Sequence, residues 1–221
     1  MGFDHLLPLL CLFVLVSSEL HCDPDDSRFG LTSGEIETAA QADQFRQCTS
    51  IKYLTLSKCT GMSDLSAFAK LTSITGKDET GVSLRIAKCD ELTDLSGLEN
   101  VKGAVPGALW VNTNAKLASL KGLEGVTSFG TNGDGLNIVI WYLPSLVSIA
   151  ALNVKGAMSG WVRLSDNPKL ANLVGLEGVD SWGRGLWIES SATSTGNSCL
   201  TRNGDTWAEC KVRPPLPLLP M

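Results

Sequence analysis

"SLRIAKCDELTDLSGLENV", residues 83–101, sets two spacings side by side: an alternating triplet, Leu84-Arg85-Ile86, and then apolar side chains at every third position, Leu92, Leu95, Leu98 and Val101. The triplet has the period of a short strand, with Leu84 and Ile86 on one side and Arg85 on the other. A strict step of three is not the mark of an amphipathic helix, which alternates steps of three and four. It suits a chain that winds in short edges, each sending one apolar side chain to a common interior.

The pattern returns along the chain, at "YLTLSKCTGMSDLSAFAKL" (53–71), "ALWVNTNAKLASLKGLEGV" (108–126), "NIVIWYLPSLVSIAALNVK" (137–155) and "WVRLSDNPKLANLVGLEGV" (161–179), with a partial copy from "GLWIESS" (185–191). Marking the second apolar residue of each strand gives Leu56, Ile86, Val111, Ile140, Leu164 and Ile188, in steps of 30, 25, 29, 24 and 24 residues. Glycine-rich insertions such as "GAVPG" and "GTNGDG" absorb the difference. Each coil offers about six apolar side chains worth roughly 1.5–3 kcal/mol apiece when enclosed, and a single coil cannot enclose them. Coils must therefore stack. The expected fold is mainly β: a right-handed parallel β-solenoid of about five to six coils over residues 51–192, with a short N-terminal cap helix.

This pattern resembles the leucine-rich-repeat group and, more closely, the receptor L domain, the β-solenoid that serves as a ligand-binding module in insulin and epidermal-growth-factor receptors. The match covers residues 48–190, and the repeated "L-x-x-L" with "GLEGV" carries it. "QCTSIKYLTL" (47–56) is similar to the entry of the first coil in that family, where a cysteine ends the cap helix. The resemblance implies an extracellular recognition role without catalysis or cofactor, and a Cys22–Cys48 bridge. In leucine-rich repeats the Cys or Asn at the turn points inward. Cys59, Cys89, Asn114 and Asn167 occupy that position here, and Leu143 replaces it in one copy.

A solenoid needs covers at both ends. Residues 23–50 are expected to form the first, with a helix inside "TSGEIETAAQADQFRQ" (32–47) opened by a capping box of Thr32 and Glu35. Cys22 and Cys48 bracket it; Cys199 and Cys210 bracket a C-terminal cap at 193–210 and are expected to staple it with a disulfide, with Trp207 as a lid, before a proline-rich tail at 211–221. Neighbouring coils lie about 4.8 Å apart, within the span of a disulfide. Cys59 and Cys89 can therefore be bridged or free, and an oxidising compartment favours the bridge.

Export is expected from the first 22 residues, read as a signal peptide: Leu6 to Val16 is an apolar run of 11, too short to span a bilayer, and Ser17 and Ser18 follow as a cleavage site. No later stretch approaches the length of a membrane span, so membrane insertion is not expected. A net charge of −5 argues against nucleic acid as partner.

Histidine occurs only at His5 and His21, and no CxxC is present, which leaves no Ser-His-Asp or Cys-His nucleophile system and no usual zinc site. Asp64 and Asp94 share a repeat position one coil apart, at a separation that suits a retaining glycosidase. The same position holds Ser119, Ser148 and Asn172, small polar residues suited to a turn, and the turn is the stronger reading. "GTNGDG" (130–135) lacks phosphate-loop and calcium-loop ligands and reads as a turn, and the PxxP spacings at Pro214, Pro217 and Pro220 as an unstructured end.

The informative set is the middle residue of each triplet: Thr55, Arg85, Trp110, Val139, Arg163 and Trp187. Stacked, these form one ladder on a flat face, and Trp and Arg are the residues in which interaction hot spots are enriched. The expected function is recognition of an extracellular protein or glycan by Arg85, Trp110, Val139, Arg163 and Trp187. A structural coat component and a polysaccharide-active enzyme are the alternatives. Burial of the face under loops such as 102–108 is the competing expectation, and Trp141, Trp161 and Trp182 read as packing residues.

Overall fold

A computed structural model describes residues 20–31 and 33–189, Glu189 through its backbone alone. Two families of strands alternate along the chain. One comprises β1 (His21–Cys22), β3 (Ser50–Ile51), β5 (Ser73–Ile74), β7 (Gly103–Val105), β9 (Val126–Phe129), β11 (Lys155–Met158) and β13 (Gly178–Trp182). The other comprises β2 (Glu35–Thr38), β4 (Leu54–Thr60), β6 (Val82–Ala87), β8 (Ala108–Asn112), β10 (Leu136–Trp141), β12 (Trp161–Ser165) and β14 (Gly185–Glu189). The even strands form one seven-stranded sheet in the order β14-β12-β10-β8-β6-β4-β2, every pair parallel. Winding from each strand to the next in this order makes a β-solenoid of six turns, 7 − 1, between the first and last rung.

The odd strands line a second side in three short parallel groups, β1-β3-β5, β7-β9 and β11-β13. The Leu-x-x-Leu runs make the third side, with one isolated bridge, Ser119 to Ser148, among the described residues. The alternating triplets behave as their period requires: Leu84, Ile86, Leu109, Val111, Ile138 and Ile140 point inward and are at most 1% exposed. Leu92, Leu95, Leu98 and Val101 meet them from the third side, also at most 1% exposed. One continuous apolar core thus runs from Cys22 to Val179.

Two backbone devices close each coil. Within the end of β4 and just after each of β6, β8, β10 and β12 one non-glycine residue is left-handed: Lys58, Lys88, Thr113, Tyr142 and Asp166, with φ of 52, 56, 54, 55 and 55°. The chain turns there, one residue before the Cys/Asn position. At the other corner Gly97, Gly122 and Gly175 take φ of 115, 110 and 110°, and a Cβ on them would collide with the carbonyl oxygen of Leu65, Leu95 or Ile149 in the preceding coil. The glutamate of "GLE" belongs to the same device: Glu99 and Glu124 accept the N–H of Gly97 and Gly122 at 2.7 and 2.9 Å.

The inward asparagines stitch coil to coil. Asn114, fully buried, accepts the N–H of Cys89 at 2.8 Å and donates to the carbonyl of Ile86 at 3.0 Å. Asn167 does the same for Leu143 N–H (3.1 Å) and Ile140 C=O (3.0 Å). At the same position of earlier coils, Cys59 and Cys89 are bridged, with Cα atoms 4.5 Å apart. The tie is hydrogen-bonded, covalent or, at Leu143, apolar, according to the residue.

The N-terminal cover differs from the expectation in where its helix lies. His21 and Cys22 pair with Ser50 and Ile51. The helix, α1 (Ala39–Asp43), starts later than predicted; Thr32 lies outside the described residues, and the capping box is made by Thr38 and Gln41. Thr38 Oγ1 accepts the N–H of Gln41 at 3.2 Å, and Gln41 Oε1 accepts that of Thr38 at 3.0 Å. The cause is the raw sheet edge: Glu35 and Ile36 pair with Thr55 and Leu56, and strand pairing claims backbone that a longer helix would need. Phe45 then plugs the end, stacked on Phe29 at 4.3 Å. The Cys22–Cys48 bridge, Cα atoms 5.9 Å apart, ties this cover down across a sequence separation of 26. Closing a loop of that size is worth roughly 3.5 kcal/mol in the chain-entropy account. Cys199, Cys210, the C-terminal cap and the tail lie outside the described residues.

Candidate functional site

The ladder read from the triplets exists rung by rung. Glu35 lies beside Thr55, Thr55 beside Arg85, Arg85 beside Trp110, Trp110 beside Val139, Val139 beside Arg163 and Arg163 beside Trp187. The rungs are not equally open. Arg85, Trp110, Arg163 and Trp187 are half-buried, whereas Val139 is 1% exposed and Thr55 5%. Val139, a short side chain in register between Trp110 and Arg163, is a buried rung of the ladder. The covering comes from neighbours on the sheet: residues 103–105 form β7 on the second side and do not fold over the face.

Arginine and tryptophan are organised as cation–π stacks. The Arg85 guanidinium sits 5.3 Å from the Trp110 ring centroid, and that of Arg163 lies 4.8 Å from Trp187 and 5.8 Å from Trp141. Trp141, 38% exposed, therefore belongs to the face and not to the packing. Its signal was in the sequence, two residues after Val139 on one strand. Its Nε1–H donates to Asp166 at 2.9 Å. Trp161, half-buried, shares the strand parity of Arg163 and so also lies on this side.

At the N-terminal end the face becomes a groove of about 620 Å³ over β2, β4, β6 and β8. Thr55, Ser57 and Trp110 supply its floor, and the turn carrying Asp78, Glu79 and Thr80 one wall. That turn is locked by Asp78, whose Oδ1 accepts from Thr80 N–H (2.9 Å), Thr80 Oγ1 (2.7 Å) and Val82 N–H (2.9 Å). Arg85 donates to Thr80 Oγ1 at 2.8 Å and pairs with Asp78 at 3.4 Å. Burial alone would push the Asp78 carboxyl up, but these donors together hold it below the usual carboxylate range. Residues 130–135 repeat the turn, with Asn132 Oδ1 accepting from Asp134 and Leu136, so "GTNGDG" is the turn its composition suggested.

Across the groove, Asp25 accepts from the Tyr53 hydroxyl and from Lys52 Nζ at 2.8 Å. Hydrogen bonds from Lys52 and then Tyr53 depress its pKa; burial and then the Asp25 carboxylate raise that of the Tyr53 phenol.

Asp64 and Asp94 have turned out to be turn acceptors. Asp64 takes the N–H of Ser66 at 2.8 Å and Asp94 that of Ser96 at 2.9 Å; Ser119, Ser148 and Asn172 do the same for Lys121, Ala150 and Val174. Side-chain and backbone hydrogen bonds from Ser66 and Ser96 hold both carboxyls below their ordinary range, whereas a glycosidase acid needs one raised. Among the described residues no group of three or more His, Cys, Asp or Glu is placed to hold a metal ion, and no helix is long and apolar enough to cross a membrane. Comparison with protein-family models and with curated proteins returns no match.

Proposed function

We propose that this chain is a secreted recognition module of the receptor-L or leucine-rich-repeat type, binding an extracellular protein or glycan through the outer face of its seven-stranded sheet, without catalysis or cofactor. The observation that carries the reading is the register: two arginines and three tryptophans, Trp110, Trp141 and Trp187, from five consecutive rungs stand on one surface as stacked pairs. Such a surface is costly to leave in water and is of the composition that binding sites use. Two disulfides suit the oxidising compartment that export would supply. The test is a binding screen of the mature protein against glycans and secreted proteins beside the Trp110→Ala/Trp187→Ala double variant. Loss of the captured ligand in the variant supports the face; full retention removes it.

A further inference from the structure

We infer that the groove over β2 to β8 is a subsite for a neutral oligosaccharide of hexopyranose units. This rests on the binding-face reading and narrows it to one end of the face and one class of ligand.

The first argument is chemical alternation. A sugar hydroxyl donates and accepts, so a wall that recognises it must offer both functions at short intervals. Carboxylates of Glu35, Asp78 and Glu79 accept, while Arg85, Lys88 and Asn112 donate. The floor adds the hydroxyls of Thr55 and Ser57. A protein partner would call for an apolar pocket to receive a side-chain anchor, and the lining has no aliphatic side chain larger than Ala87.

The second is the plate. Trp110 is fixed by its Nε1–H bond to Asn112 at 3.1 Å, and the Arg85 guanidinium lies on it, itself fixed by Thr80 and Asp78. The stacked pair presents a planar group edged with donors, against which a pyranose ring can lie with its hydroxyls directed to the walls. Because the groups are already held by one another, little ordering is left for the ligand to impose.

The third is charge. Asp25, Glu35, Asp78 and Glu79 face the groove against Arg85 and Lys88, 2 − 4 = −2 for the lining. That field repels uronate or sulfated chains and tolerates uncharged ones. The groove spans three rung intervals, roughly 14 Å at the usual strand spacing, so it accommodates a short run of rings and not a single one.

The experiment titrates the mature protein by calorimetry with hexasaccharides of glucose, mannose, N-acetylglucosamine and galacturonic acid. At least one neutral hexasaccharide is expected to bind, and the galacturonate is not. Trp110→Ala should weaken binding at least about ten-fold, and Glu79→Gln several-fold. Glu79 is exposed on the turn, so its variant tests the groove even where Trp110→Ala fails to fold. Absence of binding by every neutral oligomer, preference for galacturonate, or indifference to Glu79→Gln and Trp110→Ala each overturns the inference. A secreted protein captured through Trp110 and Trp187, with no neutral sugar bound, would remove this inference and leave the binding face standing. A ligand indifferent to Trp110, Trp187 and Glu79 would remove both.

Discussion

Replacing Asn114 by alanine tests whether side-chain bonds between coils hold the stack. The side chain is fully buried and makes two bonds to the preceding coil, to Cys89 N–H and Ile86 C=O. Removing it leaves the Cys89 N–H without that acceptor in a place water does not reach, a loss of about 1–3 kcal/mol. The bond to Ile86 C=O adds about 0.5–1.5 kcal/mol, so the expected destabilisation is about 1.5–4.5 kcal/mol. The control is Asn100→Ala. Asn100 also reaches back one coil, to the carbonyl of Ala69 at 2.8 Å, but it is exposed, and water can replace the bond; its loss should cost less than about 1 kcal/mol. Urea unfolding of the disulfide-intact protein, with an unchanged m-value, measures both. Asn167→Ala should cost as much as Asn114→Ala. The two should add, because they lie two coils, roughly 10 Å, apart. A cost for Asn114→Ala no larger than that for Asn100→Ala would refute the argument.

Gly122→Ala should destabilise by about 3 kcal/mol or more, since φ of 110° is closed to alanine and its methyl would strike the Leu95 carbonyl. Ala151→Gly, at the equivalent position of a coil that does not use positive φ, should cost only about 1 kcal/mol by the same denaturation assay; equal effects would contradict the corner geometry. The Asp25–Tyr53 contact gives a pH signature. Asp25 is depressed in the folded state, so its contribution is present above its unfolded pKa of about 4 and is lost as pH falls below it. Tyr53 is raised, so its contribution is full below about pH 10 and is lost as pH climbs beyond. Tyr53→Phe should shallow both the alkaline and the acid decline in Tm, Lys52, also raised, keeping part of the alkaline one, and identical Tm–pH curves would show the contact to be inert.

The even strands from β4 to β14 and their ladder were legible because the side-chain period of a strand is two, and a glycine-absorbed repeat keeps that period in phase from Leu56 to Ile188; β2, read as part of the cap helix, was not. The odd strands were not. Ser50–Ile51 and Ser73–Ile74 are two residues long, too short to show any period, and Gly103–Val105 begins on a glycine. The left-handed corners were invisible for a different reason: Lys58, Lys88, Thr113 and Tyr142 have no preference for positive φ, and the conformation is imposed by the coils above and below. Val139 shows what strand parity leaves out. Strand parity says which side a residue faces, but how far it stays open depends on the size of its lateral neighbours, Trp110 and Arg163, which parity does not encode. Asp64 and Asp94 were read correctly as turn residues from the company of Ser119, Ser148 and Asn172.

The inward corner also sets how the rod flexes. Its column runs Cys59, Cys89, Asn114, Leu143, Asn167, and each residue determines what resists separation from the coil before it. In this column a covalent link holds the second coil to the first, paired dipoles hold the third to the second and the fifth to the fourth, and Leu143 meets the third coil with an apolar contact alone. At that middle joint the connection is left to the backbone, through the β8–β10 ladder and the Ser119–Ser148 bridge.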